Sequence, residues 1–122
     1  MLHILAALLL MTGPAIAAPV ESDISAPGPS GPLKGTMLSP QGGAAPVVLM
    51  IPGSGPTDRD GNNNAGLKAA SLKLLAEGLA AQGIATVRID KRGMYASAAA
   101  TPDANAVTID DYAHDVHAIP PS

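Results

Sequence analysis

Three short clusters in this 122-residue chain combine the residue types that chemistry needs. In the first, Gly53-Ser54-Gly55 follows an apolar run and is bracketed by Pro52 and Pro56. Backbone N–H groups beside glycine can stabilise a developing anion, because no bulky side chain blocks its approach. A tight strand-to-loop turn explains the same glycines equally well. In the second, Asp58-Arg59-Asp60 suits the mouth of a site, a loop held rigid by carboxylate–guanidinium pairing, or a solvated turn. Asp58, Asp60 and Asn62 also alternate in the manner of calcium ligands. An EF-hand loop, however, wants glycine sixth and glutamate twelfth, where Asn63 and Ala69 stand. In the third, Asp90-Lys91-Arg92-Gly93 closes a second apolar run, and the simplest role for Asp90 and Arg92 is a salt bridge pinning a turn that Gly93 completes. His114 and His117 stand three apart beside Asp110, Asp111 and Asp115, which brings the two rings near one another on a helix. With no third ligand cluster elsewhere in the sequence, a solvated helix face accounts for them and no metal is expected.

The elements that must position these clusters follow from periodicity. Val47 to Ile51 is an unbroken apolar run with three β-branched residues, suited to a strand covered on both faces as in a parallel sheet. Leu67 to Gln82 places Leu72, Leu75, Ala76 and Leu79 at helical spacing, with Gly83 just past the end as a C-cap. Ile84 to Asp90 returns to β character, so strand, helix and strand describe a right-handed βαβ unit. Val107-Thr108 followed by Asp111 is a capping-box start for a second helix, whose shared face would be Ile109, Tyr112, Ala113 and Val116. Leu33 to Leu38 is a candidate early antiparallel strand. Residues 18–32, rich in Pro, Gly, Ser and Ala, read as a flexible leader, and residues 33–122 as the domain.

Composition narrows the function classes. Net charge is −3, with no basic block and no set of aromatic residues for stacking bases, so no nucleic-acid partner is expected. The absence of cysteine excludes disulfide scaffolds and thiolate chemistry. The apolar run Ile4 to Met11, a Thr-Gly-Pro breaker and Ala15-Ile16-Ala17 form a secretory signal pattern, residues 1–17, cut after Ala17. That run is too short to span a bilayer, so a secreted or periplasmic protein without a stable membrane span is expected after cleavage.

The segments VVLMIPGSGPTDRDGNN, KLLAEGLAAQGI, VRIDKRGMYAS and VTIDDYAHDV resemble, in order and spacing, the first half of secreted α/β-hydrolases of the esterase type. The resemblance covers roughly residues 33 to 118, and it departs from the family at Met94-Tyr95-Ala96-Ser97, where a further glycine is usual. It implies an α/β fold, a partial three-layer αβα arrangement with a mostly parallel sheet. It also implies an acyl-serine ester hydrolase that needs no cofactor and acts on a small-molecule ester. Within it, Gly53, Ser54 and Gly55 become the oxyanion-hole candidates, with the Ser54 N–H as the leading donor, and Asp58, Arg59 and Asp60 become site-mouth candidates.

That fold presents its nucleophile in a Gly-x-Ser-x-Gly elbow. Ser54 has Pro52 and Pro56 at the two glycine positions, Ser30 has Gly28 and Pro32, and Ser97 has Tyr95 and Ala99. No triad serine, acid or histidine is recognisable, so the expectation is a fragment that stops before the elbow and is inactive alone. Two alternatives stand beside it. One is a non-catalytic exported domain. The other is a degenerate dinucleotide-binding βαβ unit, whose third glycine would fall on Asp58 and whose ribose ligand would be Asp90.

Overall fold

The computed structural model describes residue 13 and residues 17–119. The signal segment expected over residues 1–17 therefore lies, but for residues 13 and 17, outside the described residues. Four strands form one sheet: β1 (Val20–Ala26), β2 (Leu33–Ser39), β3 (Val47–Met50) and β4 (Ala85–Ile89), in the order β1-β2-β4-β3. Two α-helices accompany it, α1 (Ser71–Ala81) and α2 (Ile109–Ala118). No helix among the described residues is long and apolar enough to cross a membrane.

The expected three-layer αβα arrangement with a mostly parallel sheet is not what forms. β1 pairs antiparallel with β2, β2 pairs antiparallel with β4, and only β3 and β4 run parallel. The physical reason lies in the connections. A parallel pair needs a crossover of a dozen residues or so, usually helical, and α1 is the only helix between two strands. The short link from β1 to β2 can only reverse the chain. Residues 18–32, expected as a leader outside the domain, contribute β1, which pairs with β2 from Val20↔Ser39 to Ala26↔Leu33. Only Ala26 of that strand is buried, so it is held by its backbone ladder and carries almost no apolar pattern to read.

Register divides the side chains between two faces. Thr86 and Arg88 of β4 stand beside Leu38 and Thr36 of β2, and Met50 of β3 pairs with Arg88. Against this face α1 packs Ala76 and Ala80, which form a cluster with Leu38, Met50 and Leu79. Alanines let the helix lie close to the sheet, and the expected contact residue Leu75 is turned outward at 52% exposure, beside Leu74. On the other face Val87 and Ile89 meet Ala26, Leu33, Ala100 and Ile119. β3, expected to be covered on both faces, is an edge strand, and Val47, Val48 and Ile51 are all exposed.

The helix expected from Leu67 begins only at Ser71, after Ala70 at φ 49°, whereas the end of α1 and the start of α2 follow the sequence closely. Gly83 takes φ +80°, its N–H donates to the Ala80 carbonyl at 3.0 Å, and the Ile84 N–H reaches the Leu79 carbonyl at 3.0 Å. This is a Schellman closure, which needs a residue free of Cβ strain at position 83. At the start of α2 the Asp111 N–H donates to Thr108 Oγ1 at 3.3 Å, while the Thr108 N–H donates to Asp111 Oδ2 at 2.8 Å. Of the face of α2 expected to turn inward, Tyr112 and Val116 are half-buried, whereas Ala113 is exposed. Asp115 is its buried residue and Ile109 is exposed, because the neighbour it must satisfy is a cation, Arg92.

Hydrogen bonds from the Thr108 N–H and hydroxyl, with Arg92 nearby, hold the Asp111 carboxyl below its ordinary value of 3.8. A depressed carboxyl stabilises the fold above its unfolded value and ceases to do so as pH falls through its lower folded value. The first turn of α2 is therefore expected to hold down to pH 3.8 and to fray below it. Backbone Cα shifts of residues 110–112 followed from pH 6 to 2 would show the transition. Thr108→Ala removes the hydroxyl but keeps the backbone N–H to Asp111, so it should shift the transition toward 3.8 without abolishing it, and loss of the cap should cost about 1 kcal/mol.

Candidate functional site

β3 and β4 run parallel, so their carboxyl ends lie side by side, and the three sequence clusters meet there. β3 ends at Met50, and two residues on the buried Pro52 has no N–H with which to continue the ladder. Gly53, Ser54 and Gly55 follow as exposed loop residues, and Gly55 takes φ +83°. Among the described residues the N–H groups of Gly53, Ser54 and Gly55 donate to no protein acceptor. The fold does not itself require glycine at 53: its φ is not left-handed, and a Cβ built there would meet nothing within 4 Å.

The carbonyls of this loop point the other way. Lys91 Nζ donates to the Gly53 carbonyl and, at 2.8 Å, to the Gly55 carbonyl. The Tyr95 hydroxyl donates to the Pro56 carbonyl. The loop is thus tethered by its oxygens to the turn after β4. Lys91 is only 3% exposed, and burial lowers its pKa from the ordinary lysine value. Tyr95 is one of two non-glycine residues with positive φ among the described residues, at 44°. A bulky residue in that conformation carries strain, commonly about 1–3 kcal/mol, which persists only where the surroundings enforce it. It stands in the stretch where the resembled family has a further glycine.

The expected carboxylate–guanidinium pairing within Asp58-Arg59-Asp60 does not form, since Arg59 pairs with Asp90 and Asp60 with Arg88. Asp58 Oδ1 accepts from the N–H groups of Asp60 and Asn62, both at 2.9 Å, and winds the loop on itself. Arg59 turns inward to Asp90, donating from its backbone N–H at 2.8 Å and from Nη2 at 2.9 Å, while its Nη1 reaches Thr36 Oγ1. Asp60 accepts from the buried Arg88 at 2.6 Å. Together with Glu21, Thr36 and Lys73, the Asp58–Asp60 stretch lines a charged depression beside Tyr95.

The expected Asp90–Arg92 bridge does not form. Asp90 belongs to Arg59 and also accepts the Ala96 N–H, whereas Arg92 donates to Asp115 from Nε at 3.0 Å and Nη2 at 2.6 Å and pairs with Asp111 at 3.0 Å. The hydrogen bonds that Arg92 donates to Asp115 raise the Arg92 pKa, so the guanidinium stays charged. Chain reversal at Gly93 (φ +80°) sends the two side chains to partners 31 and 23 residues away. Asp90 is buried and fully engaged, so the ribose contact of a dinucleotide site is not available to it.

Ser97 is fully buried and accepts the Lys34 N–H at 2.8 Å, a structural hydroxyl. His114 and His117 are exposed on α2, and no group of three metal-ligating side chains is assembled among the described residues. The two residues that matter most to the loop, Lys91 and Tyr95, carry little in the sequence that marks them as its tethers. The one available signal was a lysine at the end of an otherwise buried strand. Neither protein-family models nor curated proteins give a match to this chain.

Proposed function

We propose that this chain supplies the oxyanion-binding loop of an exported carboxylic-ester hydrolase of the acyl-serine type. The loop donates N–H groups, foremost that of Ser54, to the carbonyl oxygen that becomes negative when a nucleophile attacks. None of the chain's serines stands in the Gly-x-Ser-x-Gly context that such a nucleophile requires. The observation that carries the reading is the division of the loop, with oxygens turned in to Lys91 and Tyr95 and three exposed N–H groups left without a protein acceptor. Glycine at 53, which packing does not explain, supports it as a place kept open for another molecule's atom.

Butyrate, a carboxylate product of short-chain ester hydrolysis, is the natural probe. Titrated into the labelled chain, it should move the Ser54 and Gly55 amide protons downfield in a saturable way. Ser54→Ala keeps the N–H and should bind as the parent does; Ser54→Pro removes it and should weaken binding at least about tenfold. Equal binding by Ser54→Pro would exclude the backbone donor and with it the proposed role. An aryl butyrate assay of the same chain should show no serine-dependent turnover, and turnover would place a nucleophile within it after all.

A further inference from the structure

We propose that Lys91 is a positioning residue of this loop, its buried ammonium fixing and polarising the Gly53–Ser54 peptide so that the Ser54 N–H faces outward as a strengthened donor. The proposal rests on the reading of the loop given above. The Gly53 carbonyl and the Ser54 N–H belong to one peptide unit, and every peptide described is trans. In a trans unit the C=O and N–H point in opposite directions. An ammonium on the oxygen therefore directs the hydrogen away from itself, toward the exposed side. A hydrogen bond accepted at one end of a peptide also strengthens the bond donated at the other.

The second contact, to the Gly55 carbonyl, transmits nothing in this way, because the next residue is Pro56 and has no N–H. It serves as an anchor.

The charge on Lys91 has a further property. Burying an ammonium is costly unless it is paired. Yet Lys91 forms no salt bridge among the described residues; its partners are two neutral carbonyls and the ring of Tyr112, whose centroid is 6.0 Å from Nζ. The two other buried cations of the site region, Arg88 and Arg92, each have a carboxylate, as does the half-buried Arg59. One buried positive charge is left uncompensated behind the loop, and it matches a negative oxygen arriving in front of it.

Carbon-13 and nitrogen-15 spectra of the full 122-residue chain decide the matter. Lys91→Met preserves the length of the side chain and removes a buried charge, and exposed carbonyls can turn to water, so the fold should persist; unchanged Val87 and Ile89 methyl signals would verify this. In that variant the Gly53 carbonyl carbon and the Ser54 amide proton should both move upfield, and butyrate affinity should fall on the order of tenfold. Lys91→Arg, which keeps the charge, should restore part of both shifts and serves if the methionine variant does not fold. Tyr95→Phe cuts only the tether to Pro56 and should leave the Gly53 carbonyl signal in place. Unmoved Gly53 and Ser54 signals in Lys91→Met, equal butyrate affinity, or an equal displacement in Tyr95→Phe would each overturn the proposal. Should the parent chain take up no butyrate, the oxyanion role falls, while the resonance comparison still decides whether Lys91 polarises the peptide.

Discussion

Asp115→Ala is expected to destabilise the fold by about 4 kcal/mol, the range found when one partner of a buried ion pair is removed. Arg92 is 9% exposed, and the Asp115 carboxylate answers both its Nε and its Nη2. Without that carboxylate the guanidinium keeps its charge and only the more exposed Asp111 remains to it. α2 offers little else to hold it in place, since Asp115 is its one buried residue and Ile119 just beyond it is the nearest core side chain. The loss should appear as a lower urea midpoint with early melting of α2. Replacing both partners, Arg92→Met with Asp115→Leu, should recover most of the loss, because two buried charges exchanged for apolar groups of similar size are often neutral or better. A double variant as unstable as Asp115→Ala alone would show that lost packing, not the stranded cation, is responsible.

Asp90→Ala is expected to cost about 3 kcal/mol, the lower end of the same range, because the Arg59 side chain retains 19% exposure and can reach water. Asp90 ties two loops to β4 at once, accepting from the Arg59 backbone and side chain and from the Ala96 N–H. Its removal should therefore loosen residues 57–63 and 94–97 together, which amide exchange would register as a joint loss of protection. Asp90→Asn, with one acceptor in place of two and no charge, should fall between. A double-mutant cycle with Arg59→Met should return a coupling of about 1–3 kcal/mol if the pair acts as a unit.

Local order was legible in this sequence and partnership was not. The Schellman glycine at 83 and the Thr108–Asp111 capping box are decided within a few residues, and both form as their spacing implies. The run from Val47, the α1 helix and the run to Asp90 were readable for the same reason. The sheet went wrong where no local pattern exists. β1 is held by backbone bonds along an edge, and its Pro- and Ser-rich surroundings suggest disorder. Charges misled in a related way. Asp90 and Arg92 are near neighbours in sequence and invite pairing, as do Asp58, Arg59 and Asp60, but each found a partner that only the assembled sheet brings close. In the candidate site the glycines could be read, because close approach leaves a compositional mark. The lysine behind them could not, because its task depends on a carbonyl 38 residues earlier.

The parallel pairing of β3 has a consequence for biosynthesis. Its only neighbour among the described strands is β4, which ends at Ile89, so the apolar run ending at Ile51 leaves the ribosome well before anything can cover it. At translation rates of about 5–20 residues per second, that interval is roughly 2–8 seconds. For those seconds the nascent chain carries an unpaired Val-Val-Leu-Met-Ile strand, a target for a holding chaperone.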